Sequence, residues 1–188
     1  MTVFLSTDRL VLRQFTPDDA ELLVELDGDP AVMRYLTGGR PTPPATVRES
    51  HLPRILDHYQ RPPGLGWWVA LDRGSADFLG WFEFRPTRDG DAREVELGYR
   101  LRRAAWGRGL ATEGGLALVE RGFTGLGVER VTANTMAVNA ASRRVLEKCG
   151  LRHVRTYVGD WPELIEGAEH GEVEYALTRR QWLRRDTG

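Results

Sequence analysis

A glycine-rich turn between a predicted strand and a predicted helix constrains this chain more than any other feature. It reads Trp106-Gly-Arg-Gly-Leu-Ala-Thr-Glu113, and Gly107, Gly109 and Ala111 leave little side-chain bulk near the backbone. Backbone N–H groups at the start of a helix lack acceptors inside the helix. Where the residues there are small, these N–H groups are accessible and can bind phosphate oxygens. The other interpretation is a tight turn that uses glycine for positive φ, and glycine spacing alone does not decide between the two.

The same letters argue against two common nucleotide-binding motifs. A P-loop needs lysine after its second glycine, whereas Gly114 is followed by Gly115. A dinucleotide fingerprint that starts at Gly107 and Gly109 needs glycine or alanine where the chain has Thr112. A nucleotide-dependent kinase or dehydrogenase is therefore disfavoured.

Length, charge and cysteine usage exclude several further classes of protein. The 188 residues suit one domain, and we expect a single domain over residues 1–188. A net charge of −1 lacks the excess of basic residues that binding of nucleic acid or anionic lipid requires, so neither partner is expected. Cys149 is the only cysteine, which excludes an intramolecular disulfide, and no cysteine–histidine cluster has zinc spacing. No signal or membrane span is indicated, so we expect the cytoplasm.

The order of predicted elements indicates an α+β fold. Thr16 is predicted to cap a helix with Pro17 at its first position and with Asp19 complementing the helix dipole. The strands between residues 67 and 101 are expected to form an antiparallel meander, after which the order becomes β-α-β. Strands are predicted at Arg9–Phe15, Trp67–Leu71, Phe78–Phe84, Glu94–Leu101, Arg130–Met136, Val154–Val158 and Val173–Leu177. Further helices are predicted at Ala31–Leu36, Val47–Tyr59, Thr112–Phe123 and Asn139–Lys148.

The glycine turn resembles motif A of the GNAT acyltransferases, whose pattern is Gln or Arg, two residues, Gly, one residue, then Gly or Ala. Gly109 and Ala111 match the last two positions, whereas Trp106 departs from the first, as is familiar in the RimJ/RimL branch. That branch acetylates ribosomal-protein amino termini and related amines. Other segments that are typical of that branch occur in the same order along this chain, at Thr7–Arg13, Glu96–Leu101 and Asn139–Gly150. Together these segments span most of the chain, which makes chance similarity improbable.

The resemblance implies the GNAT fold, a central mixed and mostly antiparallel sheet that is splayed between two strands and flanked by helices. It implies acetyl-CoA as co-substrate and no metal. We expect the pyrophosphate at the turn, and the pantetheine along a strand that Gly98 separates from its parallel neighbour by a bulge. An ordinary strand glycine is the alternative. The cofactor-binding residues so predicted are Tyr99, Leu101, Arg108, Gly109, Leu110, Ala111, Thr112, Asn139 and Ser142.

Acyl transfer to an amine requires a group that accepts a proton, because the amine attacks only as the free base. Glu96 is the first candidate for this base, with Glu83 and Glu94 as competitors. A carboxylate that merely faces solvent is the alternative, since strand alternation alone does not fix which face Glu96 occupies.

The departing thiolate needs a proton or a hydrogen bond, which many GNAT proteins supply from a tyrosine. Leu146 stands at that place here, so Ser142 is the nearest hydroxyl in the matching motif. The competing interpretation is helix capping, with Asn139 as the cap and Ser142 in the first turn.

The predicted function is transfer of an acetyl group from acetyl-CoA to a primary amine by direct attack in a ternary complex. The acceptor is either a protein amino terminus, such as that of a ribosomal protein, or a small-molecule amine. We expect Met33–Tyr59 and the acidic segment Asp160–Glu174 to flank the acceptor groove, although a solvated acidic loop is the alternative. Two alternatives stay open: a non-catalytic acyl-CoA sensor, and transfer of a longer acyl group such as succinyl. The oligomeric state, monomer or homodimer, is also open.

Overall fold

The computed structural model describes residues 2–59, 64–88, 91–159 and 165–184, within which the strands form a mixed sheet flanked by helices. The strands are β1 (Val3–Ser6), β2 (Leu10–Arg13), β3 (Gly66–Asp72), β4 (Phe78–Arg88), β5 (Asp91–Leu101), β6 (Arg130–Met136), β7 (Arg152–Tyr157) and β8 (Glu172–Thr178). Their order is β1-β2-β3-β4-β5-β6-β8-β7. The β5–β6 pair is parallel, whereas β1–β2, β2–β3, β6–β8 and β7–β8 are antiparallel. The predicted α+β class and mostly antiparallel sheet are confirmed.

Helices fill the segments between and after the strands. They are α1 (Ala20–Gly28), α2 (Pro30–Thr37), α3 (Pro44–Thr46), α4 (Leu52–His58), α5 (Leu110–Gly125), α6 (Ala140–Lys148) and α7 (Arg179–Leu183). A π-helical turn, Val47–His51, joins α3 to α4. β1, α3 and α7 were not predicted from the sequence, whereas the other strands and helices were predicted within a few residues of their observed ends.

Met1–Glu83 and Tyr99–Ala111 form one compact unit, called unit 1 below. In β2, the buried Leu10 and Leu12 alternate with less buried neighbours, as expected for a strand with one face against a core. A core cluster on the opposite face of β2 and β3, that of Val69, combines residues of α1, the π-helical turn, α4, β3 and β4. It is formed by Phe15, Leu23, Leu26, Val47, Leu52, Ile55, Trp67, Val69 and Phe78.

A buried carboxylate holds the chain where α1 begins. Asp19 is 5% exposed and accepts hydrogen bonds from both terminal guanidinium nitrogens of Arg13, at 2.7 and 2.8 Å. It also accepts the backbone N–H of Thr16 at 2.7 Å, which completes a capping box with Pro17 at the first position. Burial disfavours the charged form, but the hydrogen bonds from Arg13 and Thr16 outweigh it and lower the pKa of Asp19. Asp19 thus does more than complement the helix dipole.

Replacing Asp19 by asparagine is expected to lower the free energy of unfolding by about 3 kcal/mol, because it leaves the Arg13 guanidinium without its carboxylate. The depressed pKa also fixes the sign of the pH effect. The carboxylate contributes stability fully above its ordinary pKa of 3.8 and loses it as the pH falls through the lower value of the folded state. Urea unfolding of D19N at neutral and acidic pH measures both effects.

The matched control is D18N, because Asp18 is exposed and adjacent. Its unfolding free energy should stay within about 0.5 kcal/mol of wild type. If D19N and D18N unfolded at the same urea concentration, the structural role given to Asp19 would be wrong.

Phe84–Gly98 and Thr112–Gly188 form the second compact unit, unit 2. Glycines let its helices approach closely: a Cβ at Gly122 would lie 2.7 Å from the Phe84 ring, and one at Gly115 would lie 2.6 Å from Cys149 Sγ. Cys149 is fully buried, as expected for a small apolar residue. Gly150, with φ of +90°, follows α6 and confirms the predicted helix stop.

The parallel ladder of unit 2 is short. It joins Glu94–Glu96 to Arg130–Thr132, whereas β6 runs on to Met136 in register with β8. Over the described residues, the β5–β6 pairing therefore ends two positions before Gly98. That is where the sequence analysis expected the two strands to part, although the bulge assigned to Gly98 itself stays a prediction.

Candidate functional site

The glycine turn of unit 1 is exposed from Trp106 to Gly109 and leads directly into α5. Gly107 and Gly109 have φ of +72° and +79°, so both use the left-handed conformation that glycine adopts most easily. A Cβ at Gly107 would meet no atom within 4 Å, and one at Gly109 only the Arg9 side chain at 3.6 Å. The positive-φ interpretation is confirmed, and it leaves the phosphate interpretation intact because the space in front of the turn is open.

Three side-chain contacts fix this turn in place. Arg9 Nη1 donates to the carbonyl oxygen of Arg108 at 2.8 Å, and Arg108 Nη2 lies 3.6 Å from Asp72. The indole N–H of Trp106 donates to the Leu101 carbonyl at the end of β5, at 2.8 Å. That carbonyl was expected to be unpaired for pantetheine, so one of its two lone pairs is already used. Sequence reasoning missed the roles of Arg9 and Trp106.

The start of α5 supplies the anion-binding chemistry. The first four N–H groups of a helix, counted from its N-cap, have no acceptor inside it, and here they belong to Gly109, Leu110, Ala111 and Thr112. Partial positive charge at a helix amino end favours phosphate oxygens. The open space at Gly107 and Gly109 lets a pyrophosphate reach these groups. The residues present therefore fit the diphosphate of acetyl-CoA.

The strand end next to the turn carries the other predicted pantetheine residues. Tyr99 is half-buried, with its ring 6.0 Å from that of Phe82, while Leu101 and Leu110 are buried. In unit 1, Trp106 of the turn is bonded to Leu101, and Tyr99 lies two residues before Leu101 on β5. Their contacts with coenzyme stay predictions.

Glu96 of unit 2 is half-buried and held by two partners. Its Oε2 accepts from Arg85 Nη2 at 2.6 Å, and its Oε1 accepts from Asn134 Nδ2 at 3.4 Å. The Asn134 carbonyl oxygen in turn accepts from the Tyr157 hydroxyl at 3.2 Å, and that hydroxyl lies 2.9 Å from a carboxylate oxygen of Glu172. A polar row therefore crosses this sheet face from β4 to β7. Glu96 does not simply face solvent, since both of its oxygens are engaged.

Asn139 and Ser142 lie together at the start of α6. The Asn139 side chain accepts the Ser142 backbone N–H at 3.2 Å, so the capping interpretation is confirmed for Asn139. At the other end of the helix, the Cys149 thiol lies 3.7 Å from the carbonyl oxygen of Thr112. Leu146 is fully buried, which fits a packing role at the place where the resemblance expects a tyrosine. A role of the Ser142 hydroxyl toward sulfur stays a prediction.

The remaining carboxylates differ partly from expectation. Glu94 lies 3.6 Å from Arg130 Nε and is an ion-pair partner there. Glu172 and Glu174 belong to β8 rather than to an acidic loop, and Glu174 pairs with Arg155 at 2.6 Å. They belong to the strand because they alternate with the buried Val173 and Tyr175. Counting acidic residues alone did not reveal this alternation. Asp160 and Glu163 lie outside the described residues.

The comparisons with known proteins agree with this geometry. The family described as acetyltransferase (GNAT) domain matches residues 9–152. The chain belongs to the GNAT family. As a GNAT enzyme it is an N-acetyltransferase that takes acetyl-CoA as co-substrate and an amine as acceptor. In the described part of the chain, no group of three or more metal-ligating side chains occurs, and no helix is long and apolar enough to cross a membrane.

Three similar proteins illustrate the range of this GNAT group. An Aspergillus fumigatus protein named FsC-acetyl coenzyme A-N(2)-transacetylase is 34% identical over 96% of this chain and 78% of its own length. The structure of RimL, a ribosomal L7/L12 alpha-N-protein acetyltransferase, in complex with coenzyme A has a TM-score of 0.78 at 18% identity, covering 94% and 97% of the two chains. Spermidine N-acetyltransferase from Vibrio cholerae, with CoA and spermine, has a TM-score of 0.75 at 17% identity, covering 94% and 99%. The two structures establish the shared fold.

Proposed function

We propose that this GNAT enzyme acetylates the primary amine of a small molecule, by direct attack of the amine on acetyl-CoA in a ternary complex. The observation that carries the proposal is the 34% identity, over nearly the whole chain, to a protein named as an N(2)-transacetylase. The likeness to an enzyme that acts on a ribosomal protein is weaker, at 18% identity. A protein amino terminus is therefore the second candidate acceptor.

In this proposal the turn and the strand end position the co-substrate. Backbone N–H groups from Gly109 to Thr112 bind the pyrophosphate, each charge-assisted bond contributing about 1.5–3 kcal/mol. Backbone groups of Tyr99 and Leu101 pair with the pantetheine amides, and Asn139 and Ser142 are the other proposed coenzyme-binding residues. Acetyl-CoA supplies the activated acyl carbon. A backbone N–H near Tyr99 stabilises the negative charge on the former carbonyl oxygen, and Ser142 donates a hydrogen bond to the departing thiolate.

Thiol release from acetyl-CoA, measured over a panel of small primary amines and amino-terminal peptides, tests this function. The panel includes polyamines, N(2)-free amino acid derivatives and the amino-terminal peptides of ribosomal proteins, and mass spectrometry identifies the acetylated nitrogen. We expect turnover to be fastest with a small amine. Faster turnover of the peptides would favour the second candidate, whereas CoA binding without thiol release from any acceptor would indicate an acyl-CoA sensor.

A further inference from the structure

A buried carboxylate, an arginine and a histidine meet in unit 1 beside the proposed pantetheine strand. Asp27, at the end of α1, is 2% exposed and forms an ion pair with Arg100 of β5. Its second oxygen lies 3.9 Å from Nδ1 of His51, whose side chain is 39% exposed. The Arg100 guanidinium also lies over the Trp81 ring, 5.0 Å from its centre. No chemical role for Asp27, Arg100 or His51 was predicted from the sequence, although His51 lies within Met33–Tyr59, the segment expected to flank the acceptor groove.

A distortion of the helix accompanies the placement of His51. Pro53 has no backbone N–H, and its ring excludes the carbonyl of the residue four positions earlier, so regular helical bonding cannot continue there. The chain adopts the π-helical turn Val47–His51, in which the Leu52 N–H donates to the Val47 carbonyl five residues back. Such turns are frequent at functional sites. His51 is the last residue of the turn, and its Nδ1 is the ring nitrogen that lies 3.9 Å from Asp27.

We propose that His51 is a catalytic base of the acetyl transfer and that Asp27, held by Arg100, is its positioning residue. The inference rests on the proposed function, since it concerns how the acceptor amine loses its proton. A chain of contacts connects His51 to the strand proposed to bind pantetheine. Arg100 lies between Tyr99 and Leu101 in β5. Its side chain pairs with Asp27, and Asp27 lies 3.9 Å from His51. The imidazole therefore lies on the side of the strand end to which Arg100 points.

The proton balance of the step is complete. An alkyl ammonium carries three protons on nitrogen, and the amide product keeps one. His51 Nε2 takes the first proton, and the freed lone pair attacks the thioester carbon to form the C–N bond. When the C–S bond breaks, the thiolate leaves with the sulfur lone pair and receives the second proton, giving CoA thiol. The imidazolium then returns its proton to solvent, and Asp27 stabilises the imidazolium while it exists.

The charges around His51 suit a base that works at neutral pH. Burial lowers the pKa of His51, Asp27 from α1 raises it, and Arg54 from α4 and Arg100 from β5 lower it, with a net decrease from its ordinary value. The ring is therefore neutral near pH 7 and free to accept a proton. Asp27 does not overcome this decrease because burial of the imidazole is the largest of these effects.

Glu96, the base predicted from the sequence, is the natural competitor. Its Oε2 accepts from Arg85 at 2.6 Å and its Oε1 from Asn134 at 3.4 Å, so a substrate ammonium would share the carboxylate with these two donors. The two candidates lie on different elements and can be replaced separately.

The test measures acetylation of the best alkyl amine of the panel, one that stays protonated across the pH range used. H51Q keeps the size and polarity of the side chain and removes the base. We expect kcat to fall by about 100-fold or more, the acidic limb of the kcat/KM profile to disappear, and thermal stabilisation by coenzyme A to be unchanged. D27N should shift that acidic limb to lower pH, since the carboxylate that raises the pKa of His51 is lost. H153Q, an exposed histidine on β7, is the matched control and should retain wild-type kinetics.

The outcomes separate this inference from the proposed function. H51Q with a kcat close to wild type and an intact acidic limb overturns the inference alone, and the same experiment on E96Q then shows whether Glu96 is the base. If D27N does not fold, the H51Q result still decides. Wild-type protein that acetylates no amine overturns the proposed function and the inference together.

Discussion

A protein in which Gly80 is replaced by alanine is expected to be strongly destabilised and to give little soluble protein. Gly80, in β4, has φ of +134°, and a Cβ there would lie 2.1 Å from the carbonyl oxygen of Arg100 and 2.7 Å from the Cα of Leu101. Both atoms belong to the backbone of β5, so no side-chain rotation relieves the overlap. The strands must separate or rotate, and we expect a loss of about 4 kcal/mol or more, a large share of a typical domain's stability.

Soluble yield and urea unfolding of G80A measure this effect. G28A is the control, because Gly28 ends α1 and a Cβ there would meet no atom within 4 Å. Its unfolding midpoint should equal or exceed that of wild type, since alanine favours helix. A G80A protein with an unchanged midpoint would show that β4 and β5 are not in contact at this position.

Replacing Gly109 by leucine is expected to abolish coenzyme A binding while the protein stays folded. The added Cβ would meet only the Arg9 side chain, at 3.6 Å, so no internal clash arises and the rest of the side chain extends into the open space before the turn. That space is where we place the pyrophosphate. Losing two charge-assisted bonds to it costs about 3–6 kcal/mol, a decrease in affinity of at least about 100-fold.

Isothermal titration with coenzyme A measures the affinity, and circular dichroism confirms the fold. G127L supplies the control, because Gly127 has φ of +70° and open space around its Cβ position, and therefore carries the same backbone strain. It should lose a similar amount of stability and keep its affinity for coenzyme A. Equal affinity in G109L and wild type would place the diphosphate elsewhere.

Hydrophobic periodicity was sufficient to predict most of the fold. Strands such as β6, which was predicted at Arg130–Met136 and is observed there, alternate or concentrate apolar residues strongly enough to be recognised alone. Strand register was not predictable, because it depends on partners distant in the chain. Gly80 was therefore not singled out from the sequence, although a Cβ there would lie 2.1 Å from the backbone of the neighbouring strand.

The candidate site was predictable where the chemistry is local and unpredictable where side chains meet from distant elements. The turn before α5 and the Asn139 cap each depend on a few consecutive residues, so both could be predicted from the sequence. The pairing of Asp27 with Arg100 joins residues 73 positions apart, and nothing in the letters around Asp27 distinguishes it from an exposed acid at a helix end. The fold alone brings His51 to that pair.

The bond from the Trp106 indole to the Leu101 carbonyl also explains how a departure from the motif pattern is tolerated. The residues usual at this position, glutamine and arginine, share with tryptophan a side chain that ends in an N–H group. In this chain the position supplies a donor to the Leu101 carbonyl. A phenylalanine, similar in bulk but with no proton to give, would be the less conservative replacement here, and a glutamine the more conservative one.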